Sequence, residues 1–337
     1  MNTFFYRRDE YERLYNCTGI DPSKIGSRNV PLGSTYITIG ICLEIMYIPC
    51  MIVLCKRELR QNSCFKLMFL LGLFDMVTIV FNSIITGYFT VEGATFCSHP
   101  TFIYFCGVSV MGLWCGTCLT SIILSLNRAI ELWFPRITQL LFTGWRTYLW
   151  YLPPLSYAFV MAWISKSFSF STRGYAWYNN PYVDLPWIKI DPDQYHSITH
   201  SINNLSTVFI IPFLYIALAV SVWVRCRYLK SSKISKIQKQ LTYQSCALCF
   251  FVFMADAVYV YAQYFTAPPL LVIAGHCSWI ACHGSAVVIY LTCNETVKNA
   301  VFELIGVRKL LAMFKTRTVV QNSEPISCFT TTTMHHA

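Results

Sequence analysis

Charge is what this chain has least of. Only 12% of its 337 residues are Asp, Glu, Lys or Arg, against about 25% in ordinary soluble domains. Acids are the scarcer sign, 16 against 26 basic residues. Hydrophobic residues make up 55%, and mean hydropathy is +0.46. A soluble protein of this composition would have too little polar surface to cover itself. Catalytic signatures are missing as well. "HSITH" at 196–200 puts two histidines at i, i+4, a spacing that zinc sites use, but without the Glu of H-E-x-x-H. The last long apolar run has no lysine to form a Schiff base with retinal.

The charge that does exist is spaced to leave long gaps. Glu92 to Arg128 contains none, nor do Arg146 to Lys166 and Asp193 to Arg225. Arg28 to Lys56 holds only Glu44, and Lys66 to Glu92 only Asp75. Lys239 to Glu295 holds only Asp256, and Pro268–Pro269 divides it, because proline lacks the N–H a helix needs. About twenty apolar residues at 1.5 Å rise cross a hydrocarbon core of ~30 Å. The gaps therefore predict seven spans, near 33–55, 66–90, 100–127, 148–166, 202–224, 241–265 and 270–292. The fold class expected is an all-α membrane protein, a seven-transmembrane helix bundle over 33–292. The first 32 residues are polar and charged and show no cleavable signal peptide.

Lysine and arginine accumulate on the cytoplasmic side of membrane proteins. With the N-terminus outside, the outer segments hold Arg7, Arg8, Arg13, Lys24, Arg28, Lys166, Arg173 and Lys189, and the inner ones hold the other 18 of 26. "RCRYLKSSKISKIQKQ", after the fifth span, contributes six. This asymmetry predicts an extracellular segment 1–32 and a cytoplasmic C-terminus. It also reads the +10 net charge as topology and attraction to lipid headgroups, with no nucleic-acid partner. Asn16–Cys17–Thr18 is a glycosylation sequon, meaningful only on the outer side. Of sixteen cysteines, most lie within spans and act as small apolar residues. Cys17 and Cys97 do not; they are read either as a disulfide tying the N-terminal segment to the third span or as two free, buried thiols.

Polar groups inside spans are costly and mark function or helix pairing. Asp75 sits mid-span, with Thr117 and Ser121 as expected partners and a plain backbone contact as the alternative. Asp256 is read as meeting a cationic ligand, pairing with His276, or bonding a neighbouring helix. His276, Trp279 and His283 share one face of the seventh span at i, i+3, i+7. Beyond it, Val297, Ala300, Val301, Leu304 and Ile305 keep helical spacing, predicting an amphipathic cytoplasmic helix over 293–315. Residues 316–337, with Ser323, Ser327 and "TTTT", read as a disordered tail open to phosphorylation.

"YNCTGID", "YIPCMIVL", "SCFKLMFLLGLFDM", "GATFCSHP", "SLNRAIELWFP" and "FTGWRTYLW" occur in this order, chiefly in the first half. On these the chain resembles the nematode serpentine chemoreceptors of class T, the Srt family, within the rhodopsin-like G-protein-coupled receptors. The resemblance implies a plasma-membrane chemosensory receptor of sensory-neuron cilia, its partners a small odorant or metabolite and a heterotrimeric G protein, with no cofactor. It implies that Arg128 contacts the G protein, with Asn127 where such receptors usually carry the acid that restrains the arginine. Read without it, Arg128 is a positive-inside anchor. Asp75, Thr117 and Tyr290 would form an intramembrane switch, and Trp114, Phe209, Asp256, Tyr259, His276 and Trp279 the ligand pocket. The chain departs from the rhodopsin-like pattern in three places. Residues 167–196 hold no cysteine, the sixth span holds no proline, and the seventh reads "AVVIY" in place of Asn-Pro-x-x-Tyr, keeping Tyr290. A seven-span ligand-gated channel, needing the opposite orientation, and a seven-span metal hydrolase, needing converging His and Asp ligands, are the alternatives.

Overall fold

The structure is a computed structural model that describes residues 1–227, 250–259, 261, 265 and 268–306. It is 76% helical. The spans are α1 (Val30–Leu54), α2 (Ser63–Glu92), α3 (Pro100–Trp133), α4 (Leu152–Ile164), α5 (Ile198–Arg227), α6 (described over Phe250–Tyr259) and α7 (Pro269–Thr292), followed by α8 (Glu295–Leu304). Five of them, α1, α2, α3, α5 and α7, are long and apolar enough to cross a membrane. The basic segment 228–240, residues 241–249 of the sixth span, and the predicted helix end and tail over 307–337 lie outside the described residues.

Local chemistry fixes the helix starts. Asn29 and Asn62 cap α1 and α2, their side-chain oxygens accepting from the backbone N–H of Leu32 (3.1 Å) and Cys64 (2.8 Å). Pro100 and Pro269 open α3 and α7, where the missing N–H is no loss. Pro153 and Pro154 do the same inside the predicted 148–166 run. That run is therefore split into a short turn, Arg146–Leu149, and the 13-residue α4. The third span outruns its predicted end by six residues, through Arg128 and Glu131, which pair one turn apart. In α2, residues Val80–Ile85 widen into a π-helical turn.

Helix α3 runs through the centre, against α2, α4 and α5. Small residues let the helices approach. A Cβ on Gly33 of α1 would lie 2.6 Å from the Gly87 carbonyl oxygen of α2, and one on Gly87 would lie 2.6 Å from that of Gly33. Large apolar side chains such as Ile45, Ile48, Ile52, Phe159, Phe213 and Ile216 point outward, as a lipid-facing surface requires.

At the end of the bundle that carries the N-terminus, the loops form a cap. Strands β1 (Ser169–Ser171) and β2 (Ala176–Tyr178) make an antiparallel hairpin. The N-terminal segment lies beside it, held by the Tyr182 and Tyr195 hydroxyls, which donate to the carbonyls of Asn16 (2.9 Å) and Leu14 (2.8 Å). Cys17 and Cys97 are disulfide-bonded, joining this segment to the start of α3. At the opposite end α8 buries Val297 and Val301 against α1 and α7, while Leu304 and Ile305 stay exposed.

Candidate functional site

A cavity lies inside the bundle beneath the hairpin. Its wall comprises Val110 and Trp114 of α3, His200 and Asn204 of α5, Tyr259 of α6, Trp279 of α7, and Phe168 and Trp177 from the loop above. Three of the six residues expected to form a pocket therefore do so, Trp114, Tyr259 and Trp279. The other three do not. Phe209 is 67% exposed on the outer face of α5, because the helix turns Asn204, Thr207 and Ile211 inward instead. His276 lies one ring behind Trp279, at 5.7 Å between centroids, and bonds the Asn82 carbonyl of the π turn (2.8 Å). Asp256 accepts from the Thr207 hydroxyl at 2.6 Å and pairs neither with His276 nor with anything in the cavity.

Below the cavity is a buried polar chain. The Trp279 indole N–H donates to His283 Nε2 (3.0 Å), and His283 Nδ1 bonds Asp75 Oδ1 (2.7 Å). Tyr47 of α1 lies 3.1 Å from Asp75 Oδ2 and donates to the His283 carbonyl at 2.6 Å. Trp114 packs edge-on against the His283 ring at 5.8 Å. Asp75 thus takes its partners from α1 and α7, which corrects the expectation of Thr117 and Ser121. Thr117 is buried on α3 with its hydroxyl unpartnered, and Ser121 accepts at its backbone from Ser125. Tyr290 is fully buried and its hydroxyl, too, has no partner.

At the other end of α3, Arg128 is buried, with 6% exposure. Its Nε donates to Asn127 Oδ1 (3.2 Å), and Asn127 Nδ2 donates to Ser63 of α2 (3.0 Å). Glu131, one turn on, supplies the carboxylate, 2.5 Å from Arg128 Nη2. The acid absent at position 127 is present at 131, on the same face of the helix.

The two histidines with metal-like spacing bond different partners. His196 Nε2 meets the Ser201 hydroxyl (3.2 Å) and His200 Nε2 meets Asn204 Nδ2 (3.0 Å). Among the described residues no group of three or more His, Cys, Asp or Glu is placed to hold a metal ion. Asn16 is exposed, its side-chain oxygen accepting from the Thr18 N–H in a tight turn (2.8 Å).

Several site residues escaped the sequence reading. Asn204 carried a visible signal, an amide in an apolar span. Tyr47, Phe168 and Trp177 carried none, because their roles depend on which helices and loops meet.

The sequence model of the family described as Serpentine type 7TM GPCR chemoreceptor Srt matches residues 2–313. Comparison with curated proteins finds no match.

Proposed function

The chain belongs to the Srt family of serpentine seven-transmembrane chemoreceptors, a multi-pass membrane receptor, and from that premise we propose that it binds an external small molecule in the aromatic cavity and signals to a heterotrimeric G protein at the opposite end. The observation that carries this reading is the unbroken contact from cavity wall to bundle core, Trp279 to His283 to Asp75 to Tyr47. A ligand shifts an equilibrium only by binding one state better than the other. Trp279 is suited to that task, since it lines the cavity and its N–H holds His283, the residue that bonds Asp75 of α2 from α7. The N-terminus faces outward in this reading, which the 18-to-8 partition of basic residues supports.

At the inner end, Arg128 makes the G-protein contact. Asn127 and Glu131 hold it in the resting state, in place of an acid beside it. The test records calcium or cyclic-nucleotide responses to a broad odorant and metabolite panel, with wild type and Arg128→Ala at matched surface level. The expected result is a ligand response in wild type that the variant lacks. A response that survives both the substitution and G-protein blockade would replace this reading with a channel, and leave Arg128 as a topological anchor.

A further inference from the structure

The cavity wall carries polar side-chain atoms, but nearly all are already engaged in hydrogen bonds within the protein. Each of its three tryptophans has its indole N–H bonded within the protein. Trp114 donates to Asn204 Oδ1 (2.9 Å), Trp177 to Thr86 Oγ1 (2.8 Å) and Trp279 to His283 Nε2 (3.0 Å). Asn204 donates in turn to His200 Nε2 (3.0 Å). Val110 and Phe168 offer only carbon at their side chains. What faces the cavity from these seven residues is aromatic and aliphatic surface, with polar groups already engaged.

Tyr259 is the exception. Its ring stands edge-on to Trp279 at 6.1 Å. Its hydroxyl is buried and has no hydrogen-bond partner. Among the described residues of the cavity wall, it alone has a buried side-chain polar atom left unpaired. Buried hydroxyls in proteins are nearly always bonded, so an unpaired one on a cavity wall marks where a ligand's polar group is met.

Among the described residues, the wall carries no Asp, Glu, Lys or Arg. Asp256, the acid of α6, turns to Thr207 and does not line the space. A carboxylate or ammonium ligand would shed its water here and find no counter-charge. A hydroxyl, by contrast, can donate to a carbonyl or accept from an alcohol.

We propose that the Tyr259 hydroxyl is the single hydrogen-bonding contact of this cavity, and that its ligand is a neutral, largely hydrocarbon molecule bearing one oxygen function: a ketone, aldehyde, ester or alcohol. The proposal rests on reading the cavity as the ligand site, but it does not require G-protein coupling.

The test uses the purified full-length receptor, shown folded by its thermal unfolding, and five probes sharing an eight-carbon chain: octane, octan-2-one, octan-1-ol, octanoate and octylammonium. Binding is followed through tryptophan emission in wild type and in Tyr259→Phe, a change that removes one oxygen and keeps the ring. Wild type is expected to bind the ketone and alcohol about fivefold to tenfold tighter than octane, as one hydrogen bond of ordinary worth provides. In Tyr259→Phe that preference should fall to within about twofold, with octane binding unchanged and the two ions bound by neither protein. A ketone preference that persists in Tyr259→Phe overturns the proposal. So does tighter binding of either ion than of the ketone, or no saturable binding of any probe. Selective binding by a receptor silent in the Arg128 experiment would remove the coupling and leave this inference standing. A receptor that signals through a G protein to amines or carboxylates alone would do the reverse.

Discussion

The state of Asp75 can be read from its neighbours' protons. The Trp279 N–H points at His283 Nε2, so that nitrogen carries a lone pair, and the imidazole is neutral with its proton on Nδ1. That proton goes to Asp75 Oδ1. Tyr47 has one hydroxyl proton, and the His283 carbonyl at 2.6 Å takes it. The same O–H also reaches Asp75 Oδ2 at 3.1 Å, a long shared contact that is strengthened when Oδ2 is protonated and donates back to the Tyr47 oxygen. The cluster is then wholly neutral and fully bonded, which suits a site where a bare carboxylate is expensive. Asp75→Asn keeps the geometry, its amide N–H replacing the acid proton. It should unfold within about 1 kcal/mol of wild type, whereas Asp75→Leu leaves the buried His283 Nδ1–H without an acceptor, at about 1–3 kcal/mol. Infrared spectra of the wild type should show a protonated carboxyl band that Asp75→Asn lacks; an ionised signature, or equal damage from Asn and Leu, would sink the assignment. Asp75 itself was evident from sequence as an acid in a span. Its partner was not, although His283 was visible on the helix face it shares with His276 and Trp279, because the meeting depends on how α2 and α7 are rotated.

Single elements were legible wherever composition alone decides them. Long charge-free runs gave α1, α2, α3, α5 and α7, and the valines at 297 and 301 marked the buried face of α8. Two kinds of feature were not legible. The π turn at Val80–Ile85 has no composition of its own, and strands of three residues are too short to show alternation. Gly33 and Gly87 belong to a third kind, visible as residues but silent about which glycines touch. Their reciprocal 2.6 Å approaches leave no room for a side chain between α1 and α2. Because backbone oxygen is the obstacle, neither helix can yield by a rotamer change. Gly87→Val should therefore cost about 1–3 kcal/mol of stability by overpacking and lower the yield of folded receptor. Thermal unfolding in detergent measures this, and a variant as stable as wild type would show that the two helices pack less closely than the structure has them.

Across the whole molecule, ligand reading and coupling share one assumption, that the end carrying the hairpin and the disulfide faces outward. Charge partition supports it, but positively charged loops bias orientation without fixing it. The two sequons differ as reporters of orientation. Asn294 is 2% exposed and caps α8, its side-chain oxygen accepting from the Val297 N–H at 3.0 Å, so it stays unmodified on either side of the membrane. Asn16 is exposed, beside the disulfide at Cys17, in a segment tied to the loop that roofs the cavity. Glycan should therefore slow the electrophoretic mobility of the expressed protein, glycosidase should reverse the shift, and Asn16→Gln should abolish it. A tag at residue 1 should be stained on intact cells. If Asn16 stays bare and the tag is reached only after permeabilisation, the cavity opens toward the cytoplasm and Arg128 toward the outside. An external ligand and an internal G protein would then each meet the wrong end of the bundle, and a channel of inverted orientation would become the reading that the same aromatic cavity supports.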